Sequence, residues 1–183
     1  GHGMAKNLLA KGQQLAITVH TQRDRVQDLL DAGATLAANA AELGATCDVV
    51  LICVTGSPQV EAVVAGPHGL LSQAKAGLVI VDCSTSEPTS TAQLRELAHA
   101  QGVTLVDAPL ARSPVEAEAG RLNIMVGATP EMFAKVEPIL KCCAENVFHV
   151  GEPGAGHGIK LLNNFIGQAI CTATAEAFAV GQR

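Results

Sequence analysis

Apolar and polar positions alternate along the chain in two distinct rhythms. Nearly unbroken apolar runs at 15–20 (LAITVH), 48–55 (DVVLICVT), 78–84 (LVIVDCS) and 103–109 (VTLVDAP) predict strands buried on both faces of a parallel sheet. Between them, Arg23–Ala32, Pro58–Ala65 and Pro88–Ala100 space their apolar residues at the helical period. Thr129-Pro130-Glu131 reads as an N-cap, a first-turn proline and an acidic first turn opening another helix. Residues 121–127 (RLNIMVG) and 146–150 (NVFHV) add strand candidates, Gly151–Gly158 is a glycine-rich break, and Ile159–Val180 predicts one long helix. Strand and helix in strict succession predict an open, doubly wound α/β sheet. The opening stretch, GHGMAKNLLAKG, predicts a helix with a glycine-containing start and no strand ahead of it.

Composition narrows the classes. A chain of 183 residues with 48% hydrophobic and 16% charged content has ample material for a packed core. No run approaches the roughly eighteen apolar residues of a membrane span, so a soluble protein with no membrane partner is expected. Net charge is -5 without a lysine or arginine cluster, which argues against nucleic acid. The cysteines (47, 53, 83, 142, 143 and 171) form no CxxC pair and accompany no signal peptide, and are read as reduced, buried and cytoplasmic. The histidines are dispersed without metal-ligand spacing, so no metal is expected.

The candidate chemistry lies in GAGHGIKLLNNF, residues 154–165. On a helix, Lys160, Asn163 and Asn164 fall at i, i+3 and i+4 and share one face. A partly desolvated lysine with a lowered pKa can protonate the alkoxide left when an aldehyde or ketone is reduced, while the amides orient the substrate. The plainer alternative is a lysine snorkelling from a surface helix beside polar neighbours. A Gly-x-Gly at residues 1–3, ahead of a helix, fits the turn that holds a dinucleotide pyrophosphate, and equally fits a simple loop.

MAKNLL with a glycine three residues ahead, VDCSTSEP, DAPLARSPVEAEAGRLNIMVG and GAGHGIKLLNN resemble, in order and spacing, the β-hydroxyacid dehydrogenase family, that of 3-hydroxyisobutyrate dehydrogenase. The resemblance covers essentially the whole chain. It implies a Rossmann-type domain for NAD or NADP over 1–152, lacking its first strand. It also implies the start, over 153–183, of the long helix that opens an all-helical domain, which completes the site and makes the full-length protein a homo-oligomer, dimer or tetramer. Gly1 then matches the third glycine of the dinucleotide fingerprint. Lys160 and Asn164 match the catalytic pattern and Asn163 a substrate position. Ser84 and Thr85 match positions near nicotinamide and substrate, although Ser84 or Ser86 could instead cap the helix beginning near Glu87. Val54 and Thr55 line the cofactor path, with Thr55 replacing a common proline.

The family's Asp-Ala-Pro-Val-Ser-Gly-Gly segment is DAPLARS here, so Ala111, Arg112 and Ser113 replace a serine and glycine cradle for the substrate carboxylate. Arg112 offers a charged, bidentate fork suited to an anion, and a similar loop occurs in sulfolactaldehyde reductases. Its alternative is a solvated loop arginine. The segment His20-Thr21-Gln22-Arg23 would meet the adenine ribose. With no carboxylate before Asp24, and with Arg23 and Arg25 nearby, it leans slightly to NADP. The reaction implied is oxidoreduction of a small anionic hydroxyacid or hydroxy-sulfonate. Imine reductases and non-catalytic dinucleotide-binding scaffolds share the fold but generally lack the lysine.

Overall fold

The computed structural model describes residues 1–19 and 23–182. Parallel strands β1 (Ala16–Ile17) and β2 (Thr35–Leu36) form a small sheet. β3 (Val49–Ile52), β4 (Val79–Asp82) and β5 (Thr104–Asp107) form the parallel centre of the main one. β6 (Leu110–Ala111), β7 (Leu122–Gly127) and β8 (Ala144–Gly151) complete it. β7 lies antiparallel to both β5 and β6, and parallel to β8. Register pairs Ile52 with Asp82 and Asp82 with Asp107, so the carboxyl-terminal tips of the central strands are level.

The central strands are buried on both faces because successive side chains point to opposite sides. Val79 and Val81 pack with Met4, Val136 and Leu140 on one side, and Leu78 and Ile80 with Val60, Val64, Leu94 and Ala98 on the other. The first cluster is covered by α1 (His2–Ala10) and α7 (Pro130–Leu140), the second by α4 (Ser57–Ala65) and α5 (Pro88–His99). This is the doubly wound α/β arrangement expected from the alternating pattern.

Several elements depart from the pattern reading. The stretch from Arg23 splits into a 3-10 turn (Arg23–Val26) and a short helix, α2 (Gln27–Asp31). β2, β6, α3 (Ala40–Thr46) and α6 (Pro114–Glu118) are too short to carry a period. The two short helices still carry cap signatures: Asn39 accepts the Glu42 N–H, and Ser113 and Glu116 form a capping box. Among the described residues, the strand read at 15–20 pairs over Ala16–Ile17. The last helix, α8 (Ala155–Gly181), begins four residues before Ile159, so the second half of the glycine-rich break is already helical. Only Cys83 and Cys143 are buried; Cys171 is exposed and the rest are intermediate, which corrects the reading of all six as buried.

No backbone pairing joins β1 to β3, and the two flank an apolar groove of about 410 Å3 lined by Ala16, Ile17, Val49, Leu51 and α1 side chains including Met4 and Leu8. On its far side α1 packs directly on α6. The Asn7 amide donates to the carbonyls of Gly3 at 2.7 Å and Ala117 at 3.0 Å, and a Cβ at Gly3 would sit 2.6 Å from the Ala117 carbonyl carbon. Overpacking of this kind costs about 1–3 kcal/mol. Gly3→Ala is therefore expected to lower the melting temperature by several degrees in a thermal denaturation followed by circular dichroism, whereas an unchanged midpoint would show that α1 and α6 separate freely.

Candidate active site

The site forms where the level tips of β3, β4 and β5 meet the first turns of α1 and α8. A ligand crevice in an open α/β sheet lies at such carboxyl-terminal tips. Gly1 stands beside Cys53, just past β3. As N-cap of α1 it brings no side-chain cap, and the first turn holds no acidic residue. A Cβ at Gly1 would meet only the Cys53 carbonyl at 4.0 Å. The helix start thus keeps open N–H groups and room, which fits the pyrophosphate of a dinucleotide.

Ser84, buried just past β4, accepts the Val54 N–H at 3.0 Å and donates its own backbone N–H to Asp82 Oδ1 at 2.9 Å. The structure therefore brings Val54 and Ser84 together across adjacent strand tips, with Thr55 and Thr85 exposed beside them. Neither serine caps α5. Ser86 Oγ donates to Asp82 Oδ2 at 2.8 Å, and the N–H of Glu87 goes to Ser57 Oγ, also at 2.8 Å. His20, Thr21 and Gln22 lie outside the described residues, as does the Arg23 side chain.

The first turn of α8, one turn ahead of Lys160, is fastened to the tip of β5. The N-cap of α8, Gly154, has no side chain to offer, and the carboxylate of Asp107 takes its place by accepting N–H groups from Gly154 at 2.7 Å and His157 at 3.0 Å. Backbone approach is equally close. A Cβ at Gly156 would lie 2.6 Å from the Met125 carbonyl oxygen and 2.7 Å from that of Asp107. Lys160 follows Gly156 by four residues and His157 by three, so it stands one turn further along the face they press against the sheet. It is half-buried, and desolvation alone, with no charged partner contributing, pulls its pKa below the ordinary lysine value. Asn163 and Asn164 continue the same face a turn beyond and are exposed.

Arg112 sits apart from this cluster, on the loop after β6. Its guanidinium donates to the Glu145 carboxylate and to the Arg121 carbonyl at 2.6 Å. Its backbone has φ 79°, a left-handed conformation that glycine adopts without cost and the only one at a non-glycine position among the described residues. Ser113 caps α6 and holds Glu116. Burial pushes the Cys83 thiol, just past β4, well up, which keeps it un-ionised.

Sequence reasoning missed the residues that hold this geometry together. Asp82, Asp107, Thr91 and His157 are all buried, and no single motif marks them. The available signal was a carboxylate ending each of two otherwise apolar strands, in VDCS and VDAP. Such groups survive burial only when several donors reach them.

Comparison with known proteins agrees with the fold. Over 181 residues the chain is 35% identical to 3-hydroxyisobutyrate dehydrogenase of Pseudomonas aeruginosa, covering 99% of this chain and 60% of that one. It is 31% identical to 3-sulfolactaldehyde reductase of Escherichia coli, covering 97% and 59%. The solved structure of Mycobacterium tuberculosis 3-hydroxyisobutyrate dehydrogenase with L-serine superposes with a TM-score of 0.87 at 26% identity, over 99% of this chain and 61% of that one. The chain thus spans about 60% of the length of the curated relatives it matches. Residues 1–151 match the profile of the NAD binding domain of 6-phosphogluconate dehydrogenase, and this establishes that the chain belongs to that dinucleotide-binding family.

Proposed function

We propose that this chain supplies the dinucleotide-binding domain and the catalytic lysine of an NAD(P)-dependent oxidoreductase that interconverts a small anionic 3-hydroxyacid, or a hydroxy-sulfonate, with the matching aldehyde or ketone. The observation that carries the reading is Lys160: a half-buried ammonium one turn beyond the Asp107 cap, with its pKa lowered by desolvation, in a domain built to hold a nicotinamide dinucleotide. The relatives named as a hydroxyisobutyrate dehydrogenase and a sulfolactaldehyde reductase support the substrate class.

A nicotinamide bound over the strand tips would donate or accept the hydride. Gly1 and the N–H groups opening α1 would face the pyrophosphate, with Val54, Thr55 and Thr85 along the dinucleotide. Ser84 Oγ accepts from Val54, which leaves its hydroxyl proton free to be donated to a ligand. In the reducing direction Lys160 gives a proton to the alkoxide oxygen, and in the oxidising direction it takes the alcohol's proton. A lysine with a lowered pKa performs both nearer neutrality than an exposed one. Asn163 and Asn164 orient the substrate through neutral amides. The groove between β1 and β3 accommodates one further parallel strand leading towards α1, and the exposed apolar side chains of α8, among them Leu162, Phe165 and Ile166, pack in a helical domain that closes the pocket.

Arg112 provides the charge for the substrate's anionic end. Two features support this: Arg112 stands where the family's motif carries a glycine and itself takes a left-handed backbone, and backbone strain of this kind collects at functional loops. An incoming anion exchanges with Glu145 for the guanidinium.

The central test is Lys160→Ala in the full-length protein. Loss of a general acid lowers kcat by about 10²–10⁴-fold, while dinucleotide affinity, followed by nicotinamide fluorescence, stays near wild type. A variant that keeps a tenth of the wild-type kcat removes Lys160 from the chemistry. Arg112→Ala is expected to lower kcat/KM for the best anionic substrate by roughly thirtyfold or more and to spare neutral aldehydes of similar length. Equal losses for both kinds of substrate would make Arg112 a structural residue and withdraw the anion assignment.

A further inference from the structure

His157 is fully buried between α5 and β4, and nothing in the proposed chemistry uses it. Its ring Nδ1 lies 2.8 Å from Thr91 Oγ1. The Thr91 hydroxyl also lies 3.1 Å from the Glu87 carbonyl, and which of Nδ1 and Oγ1 donates in the shared bond is set by the ring's tautomer. The other ring nitrogen, Nε2, makes no hydrogen bond and faces Asp82 Oδ2 at 3.6 Å. Asp82 in turn accepts the backbone N–H of Ser84 and the hydroxyl of Ser86. One imidazole therefore touches the helix α5 through Thr91 and the carboxylate that shapes the Ser84 turn, while its own backbone N–H is held by Asp107.

Burial of an imidazole with one nitrogen unbonded is unfavourable, and an aliphatic side chain would fill the same space without it. Its position gives it a use: His157, three residues before Lys160, is the buried side chain of the first turn of α8 and reaches Thr91 of α5 and Asp82 of β4. We infer that His157 is a positioning residue, which keys the first turn of α8 to Thr91 and Asp82 and thereby fixes where Lys160 stands relative to Ser84. The inference rests on the reading of Lys160 as the acid/base. Asp107 sets how far along the strand tips α8 begins, and Gly156 how closely it approaches. The His157 ring sets its rotation about its own axis, because the ring contacts lie off that axis, towards α5 and β4. A rotation of α8 swings the Lys160 side chain sideways, away from the site, without disturbing the dinucleotide contacts at α1.

The test compares His157→Leu, which fills the space without polar contacts, and His157→Gln, which can restore a donor and an acceptor, in the full-length protein. His157→Leu is expected to lower kcat tenfold or more while the dissociation constant for NADH or NADPH, read by fluorescence, changes less than twofold. His157→Gln is expected to recover most of the loss, and Thr91→Val, which leaves His157 in place but removes its partner, to reproduce part of it. In a Lys160→Ala background, His157→Leu should change the residual rate less than threefold, because it acts through Lys160. A tenfold further loss in that background, a parallel loss of dinucleotide affinity, or a kcat within twofold of wild type for both His157→Leu and Thr91→Val would each overturn the inference. Should His157→Leu fail to fold, the Thr91→Val and His157→Gln measurements decide alone: unchanged kcat in both overturns it, and a drop in Thr91→Val with dinucleotide affinity intact upholds it. Failure of the underlying reading is seen separately, as activity retained by Lys160→Ala itself.

Discussion

The Asp107 carboxylate, 1% exposed at the tip of β5, accepts the backbone N–H groups of both Gly154 and His157, so the first turn of α8 is capped from the sheet and not by its own N-cap residue. The open N–H groups of a helix start carry partial positive charge, and a buried carboxylate needs donors to remain buried, so each satisfies the other. The bond also joins two parts of the chain 47 residues apart, which makes the helix start a tertiary feature. Lys160 inherits its place from that joint.

Close approach is what the glycines provide. Gly156 lies against the carbonyls of Met125 and Asp107, and a Cβ at Gly127 would meet the Asp107 carboxylate at 2.7 Å and the Gly156 nitrogen at 2.8 Å. Any side chain at either position would push α8 off the tips of β5 and β7 and break the Asp107 cap. Beside it, Asp82 performs the corresponding task for the turn after β4, drawing in the Ser84 N–H and the Ser86 hydroxyl. Two acidic residues at the same level of neighbouring strands thus hold the two segments whose side chains face the crevice, α8 and the Ser84 turn. Their carboxylates are turned inward, towards backbone donors, the Ser86 hydroxyl and His157.

The same arrangement explains why Lys160 is depressed without a counter-ion. A carboxylate beside it would hold the ammonium charged, whereas desolvation lowers its pKa. Arg112 presents the contrasting case, a cation already paired with Glu145 on a loop held in a left-handed conformation.

The alternation of apolar runs with helical periods made the doubly wound class legible, because burial on both faces leaves a strand no polar positions and the long helices have room for a full amphipathic period. The Lys160, Asn163 and Asn164 face was legible for the same reason, since it depends only on helical spacing within one element. Elements of two to seven residues, such as β2, β6, α3 and α6, carry no period, although the Asn39 and Ser113 caps would have marked the helices among them. The start of α8 at Ala155 was hidden because glycines ordinarily end helices, and only the strand-tip carbonyls that Gly156 must approach, together with the Asp107 cap, explain a helix opening there. The roles of Asp82, Asp107, Thr91 and His157 belong entirely to the tertiary structure. Each is an ordinary polar residue in its own segment and acquires its function from donors and acceptors brought in by distant strands and helices, which no local pattern of side chains records.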